Sequence, residues 1–187
     1  MEQKYTSYIE NVYEKYQTLK KVPNTDEDEF MMITLDELIK KGYINFKASK
    51  KPLVRLSILI EMFAKKNKTP LLATFEDEGK FKYAEDRYLE LMRKLPRVWV
   101  IGNFKNPFLA QNFPGNAKTI SCNSTSLSTV WAVITKGPAG PMGLVAEEQS
   151  DGSFKGFFSV APKIIQTSID LINYILKEDI NINKVEE

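Results

Sequence analysis

Between residues 70 and 160 the chain carries six short β-type runs, and the segments between them constrain the fold more than any other feature. "PLLATFED" reads as a strand at 70–75 and "RVWVIGNF" as a strand at 97–104. The intervening "YAEDRYLELMRKL" has helical periodicity over 83–95. This is a strand-helix-strand unit, and a parallel pairing of its strands requires a right-handed crossover. After the loop "NPFLAQNFPGNA" come "KTISC", "STVWAVITK", "GLVAEEQ" and "FKGFFSV", separated by turn residues too few to hold helices. These read as antiparallel strands. The expectation is an α+β single domain with a mixed, mainly antiparallel sheet of about five to six strands flanked by helices.

Glycines 137, 140 and 143 in "KGPAGPMG" raise the question of a phosphate cradle. A phosphate loop joins a strand to a helix, whose N-terminus receives the anion. Here another β-like run follows, and Lys136 precedes the glycines instead of following them. Three glycines in register are also too few for a collagen triple helix. The segment is read as a hairpin between strands near 128–135 and 142–148, with a ligand-contacting loop as the alternative.

The N-terminal Tyr5, Tyr8, Ile9, Val12, Tyr13, Tyr16 and Leu19 recur at spacings of three and four, which predicts a helix near 3–20. Its tyrosine stripe is read as a packing face, on this chain or on a second copy in a homodimer, in preference to a base-stacking surface. Pro23 and the run Asp26 to Glu29 read as a solvated acidic linker. The run lacks the glycine-turned spacing of a calcium loop. Thr34 and Glu37 form a capping box for a helix at 35–41 that stops at Gly42. Ser49 is placed as the cap of a largely buried helix running through "LVRLSILIEMF", and lysines 47, 50 and 51 are read as solvated helix-end charge rather than a phosphate site. Pro162 opens a last amphipathic helix ending near 177, and the tail 179–187 is expected to fray.

Twenty-six basic against 24 acidic residues give a net charge of +2, which offers no pull toward nucleic acid or an anionic membrane. The sequence has no histidine, so the usual general base, the commonest zinc ligand and the phospho-acceptor of histidine kinases are all missing. A lone cysteine, Cys122, excludes an internal disulfide and suits a reducing compartment. With no signal peptide and no membrane-spanning run in the sequence, the cytoplasm is the expected location.

Cys122 and the serines of "SCNSTSLS" lack a histidine partner, and Cys122 is read as inert, with chromophore attachment as its alternative. Carboxylates pair at Glu76 to Glu78, at Glu85 and Asp86, and at Glu147 and Glu148, a composition effect unless two meet in space. Aromatic and amide groups gather at strand ends, as in a pocket for a planar or apolar ligand. Arg87, one of four arginines, offers a planar fork for a carboxylate or phosphate, or pairs with an acid of the chain. The candidate ligand-binding residues are Phe75, Arg87, Trp99, Asn103, Trp131 and Glu147. No catalytic or metal-ligating residue is assigned.

"SKKPLVRLSILIEMF", "PLLATFEDEGKF", "EDRYLELMRKLPRVWVIGNF" and "ITKGPAGPMGLVAEE", the last followed by "GSFKGFFS", occur in an order and spacing that resembles the DICT sensory domain of diguanylate cyclases and two-component proteins. The resemblance covers about 49–177, and the domain is drawn over 33–178, with the helix and linker of 1–32 before it. It implies a signal-input module associated with light or other environmental signals, with no particular cofactor. No cyclase, kinase or helix-turn-helix output is visible, so the output falls to a signalling partner protein. The expected function is non-enzymatic sensing of a small ligand. The alternatives are an adaptor that dimerises through the N-terminal helix and a small hydrolase using Glu76 and Glu147.

Overall fold

The computed structural model describes residues 7–184 except Ser124. The expected helix start at residue 3, with Tyr5, and the last tail residues 185–187 lie outside the described residues. Seven strands form one sheet: β1 (Tyr43–Ala48), β2 (Leu71–Asp77), β3 (Val98–Asn103), β4 (Ala117–Ser121), β5 (Val130–Lys136), β6 (Pro141–Glu148) and β7 (Phe154–Ser159). Their order is β1-β7-β6-β5-β2-β3-β4. The fold is an α+β single domain whose mixed sheet is mostly antiparallel, with helices on both faces.

Two strands differ from expectation. β1 was not anticipated; it pairs antiparallel with β7, Phe46 opposite Gly156. β4 pairs parallel to β3, not antiparallel, with Val98 opposite Ala117. The reason is the length of the loop between Asn103 and Ala117, which carries the chain back along the strand axis, as a parallel connection requires. β2 and β3 are parallel as well, around the helix between them.

The glycine-rich segment is a hairpin. Lys136 pairs with Pro141 across it, and the Gly137 N–H donates to the Gly140 carbonyl at 2.7 Å. Gly140 takes φ +138°, a conformation a side chain would strain. Gly143 and Gly156 belong to strands instead. A Cβ on Gly156 would lie 2.1 Å from the Val145 carbonyl oxygen, so only glycine allows that approach.

One face of the sheet carries α3 (Glu27–Met32), α4 (Leu35–Lys41), α5 (Lys50–Asn67) and α6 (Glu78–Lys94). The acidic run is thus not a linker. Glu27, Asp28 and Glu29 occupy the first turn of α3, where the helix dipole favours negative charge. Phe30 then buries and stacks on Phe46 at 4.6 Å, a burial that contributes about 2 kcal/mol. The capping box is present: Thr34 Oγ1 accepts the Glu37 N–H at 3.1 Å, and α4 ends at Gly42 with φ +81°. α5 is buried along one side only, with Val54 and Met62 exposed. Ser49 makes no capping bond to it and donates to Glu27 instead. α6 starts earlier than expected because Asp77 caps it, accepting the Lys80 N–H at 2.9 Å.

The other face carries α1 (Tyr8–Glu14), α2 (Gln17–Lys20) and α7 (Pro162–Leu176). The expected single N-terminal helix breaks at Tyr16, which leaves helical geometry at ψ 58°. Tyr8, Ile9, Val12 and Tyr13 are fully buried against this chain's own sheet and α7. The tail packs rather than frays up to Ile182, with Ile180 and Ile182 buried and the Asn173 side chain bonded to both backbone groups of Ile180. Among the described residues no helix is long and apolar enough to cross a membrane.

Candidate ligand-binding site

α5 and α6 both lie across the centre of the sheet, and between them and strands β2 and β5 remains a cavity of about 460 Å³. Helical spacing places Val54, Ser57 and Glu61 of α5 on one wall, and Lys80, Ala84, Arg87 and Tyr88 of α6 on the other. Thr74, Phe75 and Glu76 of β2 all reach it, with Trp131 and Val133 of β5.

Three successive residues of one strand would normally alternate between faces. The register of β2 against β3 shifts between Thr74 and Asp77, and Glu76 adopts φ +63°, left-handed for a residue with a side chain. This bulge turns Glu76 toward the same cavity as Phe75, and such irregularities concentrate at functional sites.

The polar groups fall into two sets. Glu61, 2% exposed, accepts from Arg87 Nε at 2.5 Å and from the Tyr88 hydroxyl at 2.7 Å. Burial raises the Glu61 pKa, and the Arg87 guanidinium opposes that rise. Tyr88 is raised well above the ordinary phenol value, by burial and then by Glu61. In the second set Lys80 Nζ lies 2.5 Å from Glu76 and 3.7 Å from Glu148. Burial first and the Glu148 carboxyl second push Glu76 up to about 7, with Lys80 working against both. Above these groups are rings: Phe75 packs edge-on to Tyr88 at 4.9 Å, and Trp131 edge-on to Phe154 at 5.3 Å. Trp131 Nε1 donates to Ser57 Oγ at 3.0 Å.

Of the six sequence candidates, Phe75, Arg87 and Trp131 line the cavity, and Trp99, Asn103 and Glu147 do not. Trp99 points to the opposite face, under Arg97 at 5.5 Å, because it alternates with the cavity-side Val98 and Val100. Asn103 ends β3 opposite Asp77, outside the cavity wall. Glu147 also faces away and serves α1: its carboxylate accepts the Tyr8 N–H at 2.6 Å, the Ile9 N–H at 3.3 Å and the Ser7 hydroxyl at 2.9 Å. Glu76 and Glu147 therefore lie on opposite faces of the sheet and cannot act on one substrate. The residue sequence reasoning missed most plainly is Glu61, although a lone acid inside "LSILIEMF" was its signal. Cys122 is buried, which raises its pKa. Among the described residues no group of three or more Cys, Asp or Glu side chains could hold a metal ion.

No family model matches the chain, and no curated relative is found. Among solved structures, the polyphosphate kinase of Porphyromonas gingivalis is similar at a TM-score of 0.44 and 12% identity over 72% of this chain. The chain spans 23% of that protein's length. At that distance the likeness carries no activity across.

Proposed function

We propose that the chain is a non-enzymatic sensing domain, of the kind its resemblance to DICT domains implies, that binds a small molecule between α5, α6 and the sheet and relays its occupancy to a partner protein. The observation that supports this reading is the cavity itself. Its volume of about 460 Å³ falls within the ~300–1,000 Å³ common for small-molecule sites, and apolar rings line it beside a few oriented polar groups. Phe75, Arg87 and Trp131 are the proposed ligand contacts.

Relay requires that the ligand favour one of two arrangements of the domain. The elements that close the cavity are two helices joined across it by the Arg87–Glu61 pair; α5 exposes Met62 to solvent, and α6 exposes Tyr83, which also lines the cavity. A change in the α5–α6 spacing on binding would thus be read at a surface a signalling partner can touch. The proposed setting is the cytoplasm. The adaptor alternative needs a surface other than the tyrosine stripe, since Tyr8 and Tyr13 are buried within the chain.

Thermal denaturation against a metabolite library tests this reading, because a ligand specific for the folded state raises the melting temperature. At least one compound should stabilise the wild type and not Ala84→Trp, which fills the cavity. A library with no stabilising compound, or stabilisation equal in the two proteins, would remove the proposal.

A further inference from the structure

The second polar set, Glu76 and Lys80 of the cavity wall with Glu148 beside them, is unbalanced in charge. Glu76 and Glu148 are two carboxyls facing one ammonium, Lys80. Neither of the other cations of the wall, Arg87 and Lys50, forms an ion pair with either carboxyl among the described residues. Arg87 directs Nε and Nη2 at Glu61, and Lys50 lies on the first turn of α5 at the exposed rim. Asp77, at the start of α6, adds negative charge near Lys80. Glu76 is 4% exposed, yet the backbone is held in a left-handed conformation that turns it into the cavity.

The rings complete the pattern. Phe75, Trp131 and Tyr88 offer π faces and edges to an apolar body, and such walls also favour a cation close to them. An anionic ligand would meet the Glu76 carboxyl in the wall, and Lys50, the one wall cation without an ion pair among the described residues, is exposed to solvent.

From this arrangement we infer that the cavity takes a small amphipathic amine, its protonated nitrogen held by Glu76 while Lys80 turns to Glu148 beside the cavity, and its apolar or aromatic body against Phe75, Trp131 and Tyr88. The inference rests on the reading of the cavity as a ligand site and names the ligand's chemical class. The amine supplies the missing positive charge, so binding draws Glu76 into its ionised form and releases the proton it holds near neutral pH.

The test uses three probes of one shape and different charge: 2-phenylethylamine, 2-phenylethanol and phenylacetate. Each is titrated in mildly alkaline buffer against Trp99→Phe protein, in which the remaining tryptophan, Trp131, reports binding. The amine should bind about 10-fold or more tightly than either other probe, a difference of one ion-pair's size. Glu76→Gln and Glu148→Gln should each bring the three affinities within about threefold. In the protein without those changes, amine affinity should fall by about 10-fold per pH unit below the Glu76 titration while phenylethanol affinity stays level, a comparison that needs no altered carboxyl to fold. Tighter binding of phenylacetate, or an amine preference that survives both Gln variants, would overturn the amine assignment and leave the cavity as a site for another class. Amine binding undiminished in Ala84→Trp would overturn both this inference and the cavity reading beneath it.

Discussion

Arg87 of α6 holds the buried Glu61 carboxylate of α5 through Nε at 2.5 Å, and this pair ties together the two helices that enclose the cavity. Removing the cation leaves a carboxyl that is 2% exposed with Tyr88 as its remaining partner. Arg87→Ala should therefore cost about 2 to 3 kcal/mol, less than for a deeply buried pair because the arginine side chain is 36% exposed. Glu61→Gln in the same background should restore part of that loss, since a neutral amide tolerates burial. Urea denaturation of the single and double variants measures both. A loss below about 0.5 kcal/mol for Arg87→Ala would mean the pair does not hold the helices.

Glu147 should prove structural. It satisfies two N–H groups at the start of α1, so Glu147→Ala should cost about 1 to 3 kcal/mol. Hydrogen exchange should quicken at the Tyr8 and Ile9 amides, and ligand binding in the cavity should be unchanged. A change in ligand affinity with normal protection of those amides would return Glu147 to the site.

Raising the pH toward and past neutrality should expose the cost of burying Glu76. Its pKa in the folded protein, about 7, lies above the ordinary value of 4.5, so between them the native state holds a proton that the unfolded chain has lost. Stability contributed by that proton is complete below about 4.5, falls as pH rises through the window and is gone above about 7. Glu76→Gln should remove this slope. The difference between wild-type and variant denaturation curves isolates it from Glu10 and Asp151, whose lowered values act the other way in both proteins. A difference that does not vary with pH would contradict the assignment.

Two glycines separate close packing from open space. Gly156→Ala places a Cβ 2.1 Å from the Val145 oxygen and 2.6 Å from the Ala146 Cα, backbone atoms that cannot yield without loosening β6 from β7. About 3 kcal/mol or more should be lost. Gly115→Ala meets nothing within 4 Å and should fall within about 0.5 kcal/mol of the wild type. Thermal denaturation of the pair checks the register of the sheet.

Much of this fold was legible because periodicity reports burial directly. β2, β3, β5, β6 and β7 are apolar runs bounded by turn residues, and the hairpin at Gly137 to Gly140 followed from what comes after the glycines. β1 was hidden because its inner residues include Asn45, a polar side chain 3% exposed. Asn45 is buried with its capacity met: it accepts from the Tyr13 and Tyr43 hydroxyls and donates to the Leu19 and Val22 carbonyls. Apart from Tyr43, those partners are distant in sequence, and no local pattern announces them. β4's direction was likewise a matter of where a loop ends. Site residues failed for a related reason: a strand's alternation says which residues share a face, but not which face will carry the cavity. Trp99 and Trp131 were equivalent as strand aromatics, and only the sheet order and the placement of α5 and α6 set them apart.

That separation supplies the most direct measurement. Trp131 lines the cavity and Trp99 is buried on the other face, so their two indole N–H resonances form a built-in comparison. With the most stabilising library compound added, the Trp131 indole signal should shift, because its N–H is bonded to Ser57 in the cavity wall, while the Trp99 signal stays in place. A stabilising compound that moves Trp99 alone, or neither tryptophan, would show that the ligand binds elsewhere and that the cavity between α5 and α6 is not the sensing site.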